Sequence, residues 1–291
     1  MSEPEDAARL ELERRPLALP AGLAITWLGT AGYRIDFEGA SLLIDPYLSR
    51  VPLRNVLLRR RSLPDPALID RHLGDLDGLA GILIGHTHFD HAIDAPLIAR
   101  RHGAKVLGSS SLTQLMRLHG IPDLALEVEP YDEYELGPFV VSFVPSRHSK
   151  LLFGRRVPFD GELTCDHVDS LAPSAYRCGQ VYGIHIAVAG ITIYHQGSAD
   201  LIDEAIRHRD VDVFLAGVAG RSVTPRYWQR ILTKLQPRTV VPSHFDDFFR
   251  PLDAPLAYAR GVKLEEVPDE VAAVSRDFAL ASLPLMERRA G

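Results

Sequence analysis

Cysteine is scarce in this chain. Cys165 and Cys178 are the two present among 291 residues, too few for the disulfide framework of a small secreted protein. Long apolar runs are missing too. No uninterrupted stretch approaches the roughly 18 residues of a membrane-spanning helix, and the opening "MSEPEDAARLELERRP" lacks the apolar core of a signal peptide. The resulting expectation is a cytoplasmic protein in reducing surroundings. Positive charge is not in excess: a formal net charge of -6 argues against a broad nucleic-acid footprint. Repeats, low-complexity tracts and a natural linker are also lacking. Residues 1–20 therefore read as a charged lead-in closed by Pro16 and Pro20, and residues 21–291 as one domain. Hydrophobic residues make up 46% of the chain and charged ones 24%, enough for a sizeable core and against disorder.

Short β-like runs begin at residue 23. "LAITWLG", "YRIDFEG" and "SLLIDPY" are divided by glycines and predict a hairpin-rich sheet. "GILIG" at 81–85 reads as a strand buried on both faces. Asp94 is placed to cap a helix running to about Arg101, and "SSLTQLMRLHG" predicts another helix with Gly120 just past its end. "FVVSFVPS", "GIHIAVAGITIYHQG" with its Ala189-Gly190 turn, "VDVFLAG" and "TVVPSHF" read as further strands. "TPRYWQRILTKLQP" predicts a helix capped by Thr224, with Pro225 in its first turn. "FALASLPLME" suggests a final edge strand. Between 149 and 180 the chain is rich in Pro, Gly and Asp. It is longer than an ordinary connection, as an insertion or lid would be.

Against this plain background "GHTHFDH", residues 85–91, stands out. It concentrates His86, His88, Asp90 and His91 on one turn, directly after a strand. His148, Asp200 and His244 each follow a later predicted strand. In α/β folds, sites are built in the loops beyond strand ends. Imidazole favours zinc, iron and similar ions, and carboxylate also accepts manganese. Twelve histidines occur in all, so some are bystanders: His72, His102, His119 and His208 read as surface residues. His185 and His195 fall inside a β run, where a buried structural role competes, for His195, with lining the site near Asp200.

"HTHFDH" matches the H-x-H-x-D-H signature of the metallo-β-lactamase superfamily, and the later His148, Asp200 and His244 resemble that family's downstream motifs. The resemblance covers about residues 22–250. The opening "ITWLGTAGYRIDFEGASLLIDPYLS" also resembles the branch containing ascorbate-phosphate lactonase-like and N-acyl-phosphatidylethanolamine phospholipase D-like proteins, although relatives there often carry histidine where this chain has Thr30. The resemblance implies an α/β fold, the four-layer αββα sandwich of the metallo-β-lactamase type. It implies two adjacent divalent metal ions, zinc first with manganese or iron as alternatives. His86, His88 and His148 would hold one ion, and Asp90, His91 and His244 the other. Asp45 in "LLIDP" resembles the family aspartate that orients a ligand histidine. The family usually has Gly-Asp after the equivalent of "IYHQ", that aspartate bridging the metals. Here the text is "GSAD": Ser198 takes the expected place, and Asp200 either reaches the site by local rearrangement or caps a helix, "LIDEAIRHR". If Asp200 does not bridge, a single ion is the expectation.

A site of this kind implies hydrolysis by a metal-bound hydroxide, with Asp90 orienting or deprotonating the water. The expected substrate is a small anionic ester, lactone or phosphodiester. Arg54, Arg155, Arg156 and His195 are candidate substrate contacts. "RVPLRNVLLRRR", residues 50–61, sets Val51, Leu53, Val56, Leu57 and Leu58 beside five arginines. It reads either as an ordinary amphipathic helix with solvated arginines or as a surface that rests on an anionic membrane. In the insertion, Leu151, Leu152, Phe153 and Phe159 accompany Arg155 and Arg156, suiting a lid over a partly apolar substrate or a packed loop. Cys165 and His167 in "CDH" offer a further ligand pair at weak spacing. Three other readings stay open: a phospholipase D-like hydrolase of N-acyl phospholipids at a membrane surface, an RNA-processing nuclease, and a degenerate binding module without catalysis. Oligomeric state leaves no signal in the sequence.

Overall fold

Period-two burial divides the strands of the first sheet between two cores. In the computed structural model, which describes residues 3–74, 76, 78–151 and 154–291, this sheet contains β1 (Ala24–Gly29), β2 (Gly32–Phe37), β3 (Ala40–Ile44), β4 (Leu79–Leu83), β5 (Val106–Gly108) and β6 (Ala125–Glu127). Leu42 and Ile44 of β3 point into one apolar cluster and Leu43 into the other, as alternation along a pleated strand requires. The first three strands form an antiparallel meander, and β3 to β6 run parallel.

The second sheet contains β7 (Glu133–Leu136), β8 (Phe139–Arg147), β9 (Val181–Val188), β10 (Ile191–Gln196), β11 (Asp200–Leu201), β12 (Val213–Gly217), β13 (Thr239–Ser243) and β14 (Ala279–Leu280). Its order is β11-β8-β9-β10-β12-β13-β14, with β7 also paired to β8. Ala189 and Gly190 join β9 to β10 with φ of 52° and 76°, the positive pair that a tight hairpin turn needs. A last strand, β15 (Arg288–Ala290), returns antiparallel to β1.

The helices are α1 (Glu3–Arg14), α2 (Leu53–Leu57), α3 (Pro66–Leu73), α4 (Phe89–Ala92), α5 (Ala95–His102), α6 (Ser110–Leu118), α7 (Tyr227–Leu235) and α8 (Val267–Ala272). Ile69, Ile98, Leu115 and Met116 of α3, α5 and α6 pack with Leu43, Ile82 and Val106 on the outer side of the first sheet. On α7, Trp228, Ile231, Leu232 and Leu235 form one buried stripe, which joins the core shared with Phe143, Ile184 and Phe214. Two sheets face each other with helices outside, which is the four-layer α/β arrangement. Leu12 of α1 is buried in the same core, and Tyr258 Oη accepts from Arg9 Nε at 3.1 Å. The lead-in therefore packs on the body. Leu163, Leu171 and Tyr176 anchor the 149–180 insertion in the second core.

Three local expectations fail. Asp94 stands before α5 but makes no capping bond. Its carboxylate instead accepts from Leu48 N at 2.6 Å, Ser49 N at 2.9 Å and Ser49 Oγ, drawing in the loop that follows Asp45. Thr224 does not cap α7: its hydroxyl donates to Gly220 O, and Arg226, at φ 53°, precedes the helix. "LIDEAIRHR" is not an α-helix and holds only a single 3-10 turn at Asp203–Ala205. Asp200 and Leu201 pair instead with Arg147 and Ser146 of β8, sheet pairing overriding a helical pattern.

Candidate metal centre

Four strand ends converge at one edge. His86, His88, Asp90 and His91 follow β4, His148 follows β8, Gly197 and Ser198 follow β10, and His244 follows β13. The turn after β4 splits its work. His88 is extended, at φ -60° and ψ 152°, and precedes α4, whose single turn carries Asp90 and His91. Donor atoms of His86, His88 and His148 lie within 4.8 Å of one another, as do those of Asp90, His91 and His244. The two triads adjoin, with the His86 and His91 ring centroids 3.8 Å apart.

Hydrogen bonds at the back of the site fix which nitrogen faces inward. His91 Nδ1 donates to Asp45 Oδ2 at 2.8 Å, His148 Nδ1 to Ser149 O at 2.7 Å, and His88 Nε2 to Pro158 O at 2.8 Å. Each bond engages one ring nitrogen and leaves the other as a lone pair for the centre, the support that metal-ligating histidines receive. His88 Nδ1 meets His86 Nε2 at 3.1 Å, two nitrogens that a shared proton or a cation must reconcile. Asp45, at φ 42°, uses its other oxygen to accept from Gly85 N at 2.7 Å.

Electrostatics favour ligand protonation states. Burial pushes the His86 imidazole well down, His88 to about 4 and His148 to about 3, with neighbouring imidazoles adding to the shift for His86 and His148. Burial alone would raise Asp90, but His91 and His244 outweigh it and hold the carboxyl below its usual range. Burial works against a charged His91 too, yet Asp45 and Asp90 raise it. Neutral imidazoles at His86, His88 and His148 and an ionised Asp90 suit a borderline divalent cation, whose charge would displace the proton that Asp45 and Asp90 favour on His91. The residues present therefore fit a metal.

Above the triads lies a cavity of about 240 Å³, walled by Val56, Phe89, Leu151, Phe159, Phe248 and Phe249, with Ser198 and Ala219 beside His148 and His244. Its described lining contains no lysine or arginine. Arg54, Arg155 and Arg156, expected as substrate contacts, are exposed outside this lining. Leu152 and Phe153 of the expected lid lie outside the described residues.

Other expected residues also stand elsewhere. Asp200 joins neither triad. Its carboxylate accepts from Arg230 Nη1 at 3.0 Å, because β11 holds this stretch against β8 and α7 supplies the arginine. Ser198, where the sequence resemblance expects an aspartate, accepts from Ser149 N at 3.0 Å. His195 is fully buried, donates from Nε2 to Ala31 O at 2.9 Å and does not line the cavity. Cys165 and His167 bond to each other, through Cys165 Sγ and His167 O, and join neither triad. His208, expected at the surface, stacks on His185 with centroids 3.8 Å apart. Sequence reasoning missed Phe248, Phe249 and Asp246. The signal was present in "HFDDFF", apolar and acidic residues directly after the candidate ligand His244. Arg50, grouped in sequence with arginines expected either in solvent or on an anionic membrane, has a side chain 2% exposed and paired with Asp246.

The chain matches the family described as Beta-lactamase superfamily domain over residues 24–244. A UPF0173 metal-dependent hydrolase from Cereibacter sphaeroides is 31% identical, over 78% of this chain and 87% of its own. Another, from Anaeromyxobacter dehalogenans, is 29% identical over 80% and 78%. Among solved structures, a metallo hydrolase from the archaeon Ignicoccus hospitalis superposes with a TM-score of 0.57 at 18% identity, covering 92% of this chain and 97% of that one. A metallo-beta-lactamase fold protein from Bacillus subtilis gives 0.55 at 14% identity, covering 92% and 99%. Sequence match, fold and donor set agree, and the chain belongs to the metallo-β-lactamase superfamily as one of its metal-dependent hydrolases.

Proposed function

We propose that the two triads hold two divalent ions even without a bridging Asp200, because each triad offers three donors of its own, zinc being the best match to their nitrogen-rich sets, and that the chain hydrolyses an ester, lactone or phosphodiester with an apolar portion. The observation that carries this reading is the placing of both triads beneath an apolar cavity. Ions held there by His86, His88 and His148 and by Asp90, His91 and His244 would supply a nucleophile from water at neutral pH and polarise the substrate oxygen. Asp90, its carboxylate held ionised between His91 and His244, orients the attacking water. Phe159, Phe248 and Phe249 bind the apolar portion and exclude bulk water. An anionic group on the substrate lies outward, toward the exposed Arg54, Arg155 and Arg156.

The test combines elemental analysis of the purified chain with turnover of aryl esters, lactones and aryl phosphodiesters differing in apolar chain length. Two ions per chain, and turnover abolished in Asp90→Ala with an unchanged circular dichroism spectrum, are expected. Wild-type turnover in that variant would remove Asp90 from the mechanism, and a metal-replete chain inert to all three classes would leave the non-catalytic binding reading standing.

One observation favours a membrane-surface version of this activity. Leu53, Leu57 and Leu58 are 48%, 73% and 60% exposed, beside the exposed Arg54, Arg59 and Arg60, on the segment that sends Val56 into the cavity wall. Exposed leucines flanked by arginines suit an anionic lipid surface. Co-sedimentation with phosphatidylglycerol vesicles, lost in Leu57→Ser/Arg59→Glu, is expected. Equal sedimentation of both proteins would end this version.

A further inference from the structure

Asp246 lies two residues beyond His244 and is bonded back to it through another loop. Its Oδ1 accepts from Thr30 N at 2.8 Å, and Thr30 O in turn accepts from His244 N at 2.8 Å and Trp27 Nε1 at 3.0 Å. Its Oδ2 takes Arg50 Nη1 at 2.8 Å, with the two side chains 2% and 5% exposed. Arg50 sits 5.3 Å from the centre of the Tyr47 ring, whose hydroxyl accepts from Val51 N at 2.6 Å. Three loops, after β1, β3 and β13, thus meet at one buried carboxylate.

The arrangement is demanding. Thr30, Arg50 and His244 have φ of 53°, 43° and 58°, a region that non-glycine residues enter only when surroundings hold them there. A Cβ on Gly29 would lie 1.9 Å from Arg50 Nη2, so only glycine at 29 admits the guanidinium. Among the described residues Arg50 Nε and Nη2 have no hydrogen-bond partner, leaving one carboxylate to compensate a buried cation. Ion pairs of this kind contribute little net stability, because desolvation offsets their attraction. Fixed geometry is what such a pair can supply.

We infer that Arg50 and Asp246 are positioning residues: through Thr30 they hold His244 in its left-handed conformation and so set the metal affinity of the Asp90–His91–His244 triad. The inference rests on the reading of that triad as a metal site. Because the pair acts through His244, its effect must vanish when His244 is gone.

The experiment is chelator competition for Zn(II) on the full-length protein, comparing wild type, Asp246→Asn, His244→Ala and the double variant. Arg50→Lys serves as a second probe that retains the charge. Arg71→Met, which removes the exposed pair with Asp253, is the control for loss of an ion pair as such. Loss of a hydrogen bond supporting a ligand typically weakens metal binding about 10–100-fold. Asp246→Asn is expected to do so, Arg50→Lys to do so less, and Arg71→Met not at all. In the His244→Ala background, Asp246→Asn should change affinity by less than about twofold, the non-additivity of residues acting in series. Unchanged affinity in Asp246→Asn overturns the inference, as does an equal loss in both backgrounds. Wild type that binds no zinc would instead overturn the reading of the triad itself.

Discussion

His91 and Asp45 are joined by a 2.8 Å hydrogen bond with both side chains withdrawn from solvent, at 1% and 0% exposure. The bond leaves His91 Nε2 facing Asp90 and makes the imidazole a stronger donor. Asp45→Asn keeps an acceptor for Gly85 N but removes the charge behind His91. Zinc affinity is expected to fall about 10–100-fold, read by chelator competition, with the metal-free melting temperature nearly unchanged. Unaltered affinity would make Asp45 a turn residue only.

Asp200→Ala is expected to leave metal content unchanged, because the carboxylate is engaged by Arg230. Both side chains of that pair are about one-fifth exposed, so the stability cost is at most ~1 kcal/mol. Elemental analysis and a thermal melt on the same preparation check both halves. A drop in bound metal would mean that Asp200 turns to the centre when ions are present.

Acid should destabilise the metal-free protein. His88 and His148 have folded pKa values of about 4 and about 3, below the ordinary 6.5, so the unfolded chain binds more protons in that interval. Their contribution is complete above about pH 6.5 and is lost as pH falls through about 4 and then about 3. Asp94, raised by burial to about 6, opposes this between its ordinary value and about 6, since a raised carboxyl favours the folded state at lower pH. His91, raised by Asp45 and Asp90, opposes it as well, but the lowered His86 and Asp90 add to the loss on acidification, so that four depressed groups at the centre stand against two raised ones. Melts of chelator-treated protein from neutral to acidic pH should therefore show falling stability, and a rise would contradict the neutral-imidazole assignment.

Phe248→Ala and Phe159→Ala enlarge the cavity beside His244 and beside His88 respectively. For an aryl ester with a long apolar chain, each is expected to raise KM about tenfold at similar kcat, ~1.4 kcal/mol of binding shared by ground and transition states. A fall in kcat alone would assign these rings to the chemistry instead.

Much of the fold was legible because strand signals are local. Apolar runs cut by glycine or proline marked β1 to β4, β8 to β10, β12 and β13, and one short turn announced His86, His88, Asp90 and His91. What failed depended on distant partners. Asp200 is settled by Arg230, thirty positions on, and by β8, neither of which a local pattern records. Arg50 looks like Arg54 or Arg59 in the text and differs only in having Asp246 within reach. Asp94 has the right residue type and place for a helix cap, but three donors in the neighbouring loop claim its carboxylate. The cavity's aromatic wall is assembled from three separate segments, at Phe89, Phe159 and Phe248–Phe249, so its apolar character emerges only once the chain is folded.

Each triad takes two donors from the turn after β4 and one from the second sheet, His148 or His244. An ion in either triad therefore rivets one sheet to the other. Removing it would loosen the joint between two half-molecules, beyond silencing a reaction. Since an ion that binds only the folded chain stabilises it by ~2.7 kcal/mol at a hundredfold excess over its dissociation constant, resistance to heat becomes a gauge of free metal, and starvation for metal would be felt first as a weakened fold.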